Sequence, residues 1–309
     1  MSSKLKLAIG LALTTAVISG TSLFVSKIAV TIVKDPIVFT FIKNGVVAVF
    51  LIGLLIMSSR LQELKKLKKK DIVKLSAIGV IGGSLPFILF FTGLTMIPAV
   101  TAAFIHKTLF IWVALLAVPI LKERIGLLQF VALAFLLGGN LVLFGIPKMT
   151  LGTGELLVIA ATILWAIENI IAKKALVNIS SPVVASARMV LGSLIIFGVI
   201  LVQGKMSLMT SLTASQWGWT LLTSALLTGY VLTWYTALKH APATLVASLL
   251  VPASLITNAL SAIFLTHTFP STQLLSGTLL ALGIVLIISR AYKIAPKITP
   301  AELVPEEIN

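Results

Sequence analysis

The chain has 309 residues, 58% hydrophobic and 11% charged, with a mean hydropathy of +1.12. A soluble domain carries about 25% charged residues, so a sizeable soluble domain is excluded. The net charge of +15 belongs to membrane orientation rather than to nucleic-acid binding, and the absence of cysteine excludes disulfides, thiolate metal sites and a cysteine nucleophile.

Apolar runs of about 20 residues, the length that crosses a hydrocarbon core as helix, recur down the chain. Ten spans are predicted near 7–26, 36–58, 72–95, 98–119, 127–146, 153–174, 182–202, 217–238, 243–265 and 273–291. Lys4 and Lys6 before the first run resemble the start of a signal peptide, but this run has a counterpart later in the chain and reads as a retained helix. Connections are short except at Ser59–Asp71 and Gln203–Gln216. Residues 294–309, with Pro296, Pro300, Pro305 and several acidic residues, read as a disordered cytoplasmic tail.

Lysine and arginine crowd into one set of loops and ends, including Lys65–Lys70 and Lys122–Arg124. The opposite set holds only Lys34, Lys148 and Lys205. This asymmetry puts both termini in the cytoplasm of a multi-pass plasma-membrane protein. The Lys65–Lys70 run serves as a topology anchor in preference to a site for anionic lipid.

The halves resemble each other. FTGLTMIPAVTAA (91–103) and YTALKHAPATLVA (235–247) align without a gap at an offset of 144, which also pairs Gln129 with Gln273 and Gly139 with Gly283. An offset of 146 pairs Lys27 with Lys173 and Pro36 with Pro182. Five spans per half make the second repeat enter the membrane upside down, a common build of secondary transporters. The expected architecture is an all-α integral membrane protein with ten transmembrane helices as two inverted five-helix repeats, 1–147 and 152–291.

On these residues the chain resembles the EamA-type branch of the drug/metabolite transporter superfamily. Lys122–Glu123 closing the fourth span, with Lys27 and Lys173 ending the first and sixth, adds to the resemblance. It implies a ten-helix carrier, often an exporter of amino acids or other metabolites. It also implies a central cavity lined by the first, third, fourth, sixth, eighth and ninth helices. Two departures stand out: Thr108 follows Lys107 where the second half has Pro252, and His267 stands where a glutamate is expected at the end of the ninth helix.

Lys107, mid-span in TAAFIHKTLFIWVALLAVPILKER (101–124), is the first candidate. A charge at bilayer depth costs about 2.5–3.5 kcal/mol on insertion scales and faces a cavity or a partner. It reads as counter-charge for an anionic or zwitterionic solute, or as an ion pair with Glu168. His106 is a neighbour about 100° round the helix, suited to interhelical hydrogen bonding or a proton relay. Glu168 is the proton-coupling candidate or a fixed ion-pair partner, with Trp165 on its face. Ser254 and Asn258 form a polar stripe on the ninth span, facing the cavity or acting as helix-to-helix glue. Trp234 and Tyr235 are aromatic candidates with polar tips. Lys43 and Arg188 read as anchors that snorkel to the interface. Pro86 reads as a kink, and Gly79 with Gly83 as a small-residue packing pair.

The expected function is secondary transport, with export favoured, of a small polar metabolite such as an amino acid by alternating access. The partners are the solute and the bilayer, with no nucleic acid, no cofactor and no metal. A lipid carrier of the same fold is the alternative. A membrane enzyme is the rival from another class, and it lacks the signatures H-E-x-x-H, G-x-S-x-G and P-loop.

Overall fold

The computed structural model describes residues 3–144, 151–269 and 271–294. Among the described residues, ten helices are long and apolar enough to cross a membrane: α1 (Ser3–Val33), α2 (Pro36–Met57), α3 (Lys69–Met96), α4 (Ala99–Leu121), α5 (Leu127–Phe144), α6 (Thr153–Ala175), α7 (Ser181–Val202), α8 (Ala214–His240), α9 (Ala243–Thr266) and α10 (Thr272–Tyr292). The ends of α1 exceed the expected span by several residues on each side. The expected tail from 295 onward lies outside the described residues.

Local chemistry sets the helix starts. Asp35 caps α2, its Oδ1 accepting from Ile37 N and Val38 N at 2.9 Å each, with Pro36 in the first turn, where a missing N–H costs nothing. Thr213 and Gln216 form a reciprocal capping box at α8. Asp35 lies outside the spans. Burial alone would raise its carboxyl, but Lys205 at 2.7 Å and the two backbone donors hold it below the usual carboxylate value. A depressed acid contributes stability above its unfolded value and loses it as pH falls. Asp35→Ala is therefore expected to cost about 1 kcal/mol in denaturant unfolding of the detergent-solubilised protein at neutral pH. The difference from the parent should shrink below about pH 4.

Three spans are irregular. In α3 a π-helical turn, Gly79–Ser84, precedes Pro86. In α4 the helix breaks at Thr108, where Thr108 N reaches Ile105 O and Ile111 N reaches Thr108 O. In α9 it breaks over Leu249–Pro252, where proline has no N–H and i→i−3 bonds replace the α pattern. Breaks in corresponding helices of the two halves accord with the inverted repeat, and non-helical backbone at membrane depth needs protein or a cavity beside it.

The halves are intertwined. α1 packs on α8 as α6 packs on α3, while α2 packs on α7 and α5 on α10. The two-fold relation holds down to single contacts. A Cβ at Gly139 would meet the Leu280 side chain, and one at Gly283 would meet that of Leu136, both pairs in the 144 register. Lys27 Nζ donates to Leu94 O (2.6 Å) and Ile97 O (2.9 Å). Its counterpart Lys173 donates to Leu238 O and Ala241 O, both at 2.7 Å. These lysines satisfy the orphan carbonyls where α3 and α8 end before their prolines.

One register point is corrected. Lys122 (φ 56°) and His267 (φ 50°) both end their helices in the left-handed region, so the backbone pairs His267 with Lys122 and Thr268 with Glu123. The π turn Ala262–Thr266 inserts the extra residue that moves the offset from 144 to 145. Glu123 latches the terminal side by accepting from Ala243 N (2.7 Å), Thr244 N (3.1 Å) and Thr244 Oγ1 (2.7 Å). Thr268, on the opposite side, has no carboxylate to do the same.

Candidate functional site

A central cavity lies between the halves, with about 660 Å³ of empty space counted out to its open mouth. Its wall takes Ser19, Ser22, Leu23 and Ser26 from α1, Lys43 from α2, and Phe87, Phe90 and Phe91 from α3. His106 and Leu109 come from α4, Trp165, Glu168 and Asn169 from α6, Arg188 from α7, and Leu227, Tyr230 and Trp234 from α8. The second and seventh helices thus join the expected set, and α9 is missing from it.

The polar floor starts from proline chemistry. The π turn pairs Leu85 N with Val80 O, five residues back, and Pro86 has no N–H to give, so the Gly82 carbonyl is taken by side chains. It accepts from Trp165 Nε1 at 3.0 Å and from Arg188 Nε at 3.1 Å. Arg188 Nη1 also donates to the Tyr235 hydroxyl (3.2 Å) and lies 4.0 Å from Glu168 Oε2. The Tyr235 hydroxyl in turn donates to Glu168 Oε1 at 2.5 Å. Asn169 accepts from Trp234 Nε1 at 2.8 Å and donates to the Trp165 backbone carbonyl at 2.9 Å.

The cations are arranged differently from the sequence expectation. Lys43 and Arg188 were expected to snorkel; they are 3% and 4% exposed and face the cavity. Lys43 Nζ sits 3.7 Å from the centroid of the Phe91 ring and 4.9 Å from that of Phe87. Lys107 is also buried, but its Nζ donates to Ser19 Oγ (2.8 Å) and lies 3.4 Å from His106 Nδ1. It stands behind two wall residues and is not paired with Glu168, whose cation is Arg188. The 100° separation of His106 and Lys107 describes their Cβ directions; the four-carbon lysine stem reaches across it.

Of the other expected residues, His106, Trp165, Glu168 and Trp234 line the cavity, and Tyr235 lies just behind it, bonded to Glu168 and Arg188. Ser254 and Asn258 are not brought there. Ser254 Oγ bonds Val251 O at 2.9 Å, and Asn258 faces a separate recess with Val100, Phe104 and Ser261. The segment that carries them packs against α1 and α4, Thr257 Oγ1 donating to Gly20 O at 2.9 Å. Sequence reasoning underrated Lys43, Arg188 and the three phenylalanines. One available signal was that both cations occupy near-equivalent places in the two repeats.

The sequence matches the EamA-like transporter family over residues 6–145 and again over 152–289. No curated protein matches. Among solved structures, 29 chains match. One, described only as a crystal structure of a protein, superimposes with a TM-score of 0.70 at 15% identity, covering 96% of this chain and 99% of that one, a likeness of fold alone. Two successive matches, one to each five-helix half, account for nearly the whole chain, which therefore belongs to the EamA-like transporter family.

Proposed function

We propose that the protein is a secondary carrier that moves a small polar metabolite across the plasma membrane, outward from the cytoplasm, by rocking its two repeats around the central cavity. The observation that carries this reading is an aromatic-walled cavity with a few charged and polar groups, between halves related by inversion. The lysine- and arginine-rich side, with both termini, is assigned to the cytoplasm. On that side Glu123 latches the end of α4 to the start of α9, a contact that Thr268 on the opposite side does not make. This favours a conformation shut towards the termini. Substrate contacts fall to His106, Trp165, Glu168 and Trp234, with Lys107 acting through Ser19 and Tyr235 through Glu168.

Glu168 is the carboxylate of the wall and the coupling residue in this reading. An anion entering the cavity near Arg188 weakens the hold of the guanidinium on Glu168, which then accepts a proton. Counterflow of a labelled metabolite panel in proteoliposomes tests transport itself; no flux for any solute would overturn the carrier. For the transported solute, Glu168→Gln is expected to leave exchange at equal pH within a few-fold of the parent and to abolish the acceleration produced by a pH gradient. Acceleration persisting in Glu168→Gln would remove Glu168 from coupling.

A further inference from the structure

We infer that the solute is a carboxylate with a flat apolar body and no ammonium group, its anionic end seated at Lys43. This rests on the carrier reading for its cavity, but it concerns binding and is tested separately.

The charges on the wall decide the sign. Arg188 already has Glu168 and the Tyr235 hydroxyl. Among the described residues, no salt bridge and no side-chain hydrogen bond includes the Lys43 ammonium; its neighbours are the faces of Phe39, Phe87 and Phe91. Aromatic faces attract a cation, which orients the ammonium but does not neutralise it. A lysine amine without a counter-ion is costly to keep charged at this depth. An anion entering the cavity removes that cost, with the Arg188 guanidinium at the same Phe87 ring as Lys43.

The rest of the wall selects the body. Phe87, Phe90, Phe91, Trp165, Tyr230 and Trp234 offer rings in edge and stacked arrangements that accept a planar group. The same inventory disfavours an α-amino acid. Its ammonium would add a positive charge to a wall that already carries Lys43 and Arg188, and Glu168, the one carboxylate among the described wall residues, accepts from Tyr235 and faces Arg188.

Three probes share one skeleton: 3-phenylpropionate, its neutral amide, and L-phenylalanine, which adds the ammonium. Binding to the purified full chain is read by quenching of tryptophan fluorescence, since Trp165 and Trp234 line the cavity. 3-Phenylpropionate is expected to bind about tenfold or more tighter than either of the others, the worth of one charge-assisted hydrogen bond. Lys43→Gln should lose about tenfold or more of that affinity and Lys43→Arg should keep it within a few-fold. The unliganded Lys43→Gln protein should melt no lower than the parent, because a charge without a counter-ion is removed; that readout separates lost binding from lost folding. Equal binding of the amide or of phenylalanine, or unchanged binding in Lys43→Gln, overturns the inference. Failure of 3-phenylpropionate to bind while another solute shows counterflow overturns it too and leaves the carrier standing. Binding with no counterflow of any solute overturns the carrier and leaves the site.

Discussion

Arg188→Met is expected to lower stability by about 3–5 kcal/mol, the cost of leaving a buried charge without its partner. Arg188 is 4% exposed, and Glu168 beneath it is 1% exposed. With the guanidinium gone, the Glu168 carboxylate keeps only the Tyr235 hydroxyl, and the Gly82 carbonyl keeps only Trp165. Methionine fills similar volume, so the loss is electrostatic and polar rather than a cavity effect. The double variant Arg188→Met with Glu168→Gln tests that attribution. Neutralising the orphaned acid should recover most of the stability, because a buried pair replaced by neutral groups is often near neutral in free energy. Transport should be lost in both variants, since the guanidinium that holds Glu168 until the solute arrives is absent. Denaturant unfolding in detergent measures the first effect and proteoliposome counterflow the second. A single-variant loss below about 1 kcal/mol would place the pair among exposed, weakly coupled charges, contrary to its burial.

The architecture was legible because membrane spans announce themselves by length, and the inversion because two prolines and their neighbours keep one register over a long stretch. Lys27 and Lys173 could be paired by offset, although their task of capping helix ends becomes visible only when Ile97 and Ala241 are seen beside them. The site was less legible. Whether Lys43 reaches water or the centre depends on how α2 is rotated, and that is set by its packing against α7 and α8. Distance from the span end suggested an anchor, while rotation made it a wall residue. Ser254 and Asn258 fail for a related reason. Their spacing identified a shared helix face, but the packing of their segment against α1 and α4 decides where that face points. The open Gly82 carbonyl was readable in principle, since Pro86 follows it by four residues. Nothing local told which side chains would fill it.

Gly192→Ala is expected to cost about 3 kcal/mol, the upper end for overpacking, because the obstruction is backbone. A Cβ at Gly192 would overlap the Gly83 carbonyl group and stand 2.7 Å from Gly83 Cα. Reciprocally, one at Gly83 would overlap the Arg188 carbonyl oxygen and lie 3.1 Å from Gly192 Cα. Main-chain atoms cannot rotate aside, so α3 and α7 must separate, and small residues at membrane helix crossings exist to allow such an approach. Separation also pulls Arg188 Nε from Gly82 O and disturbs the Asn44 bond to Gly83 O, at 3.3 Å. The floor of the cavity should therefore loosen together with the crossing, and counterflow should fall with stability. Gly198 supplies the control on the same helix. A Cβ there meets nothing within 4 Å, so Gly198→Ala should be neutral, or stabilising by about 0.5–1 kcal/mol from helix preference alone. Equal unfolding midpoints for the two alanine variants would mean that the crossing tolerates a wider spacing, and that Arg188 is positioned by something other than the close contact of α3 with α7.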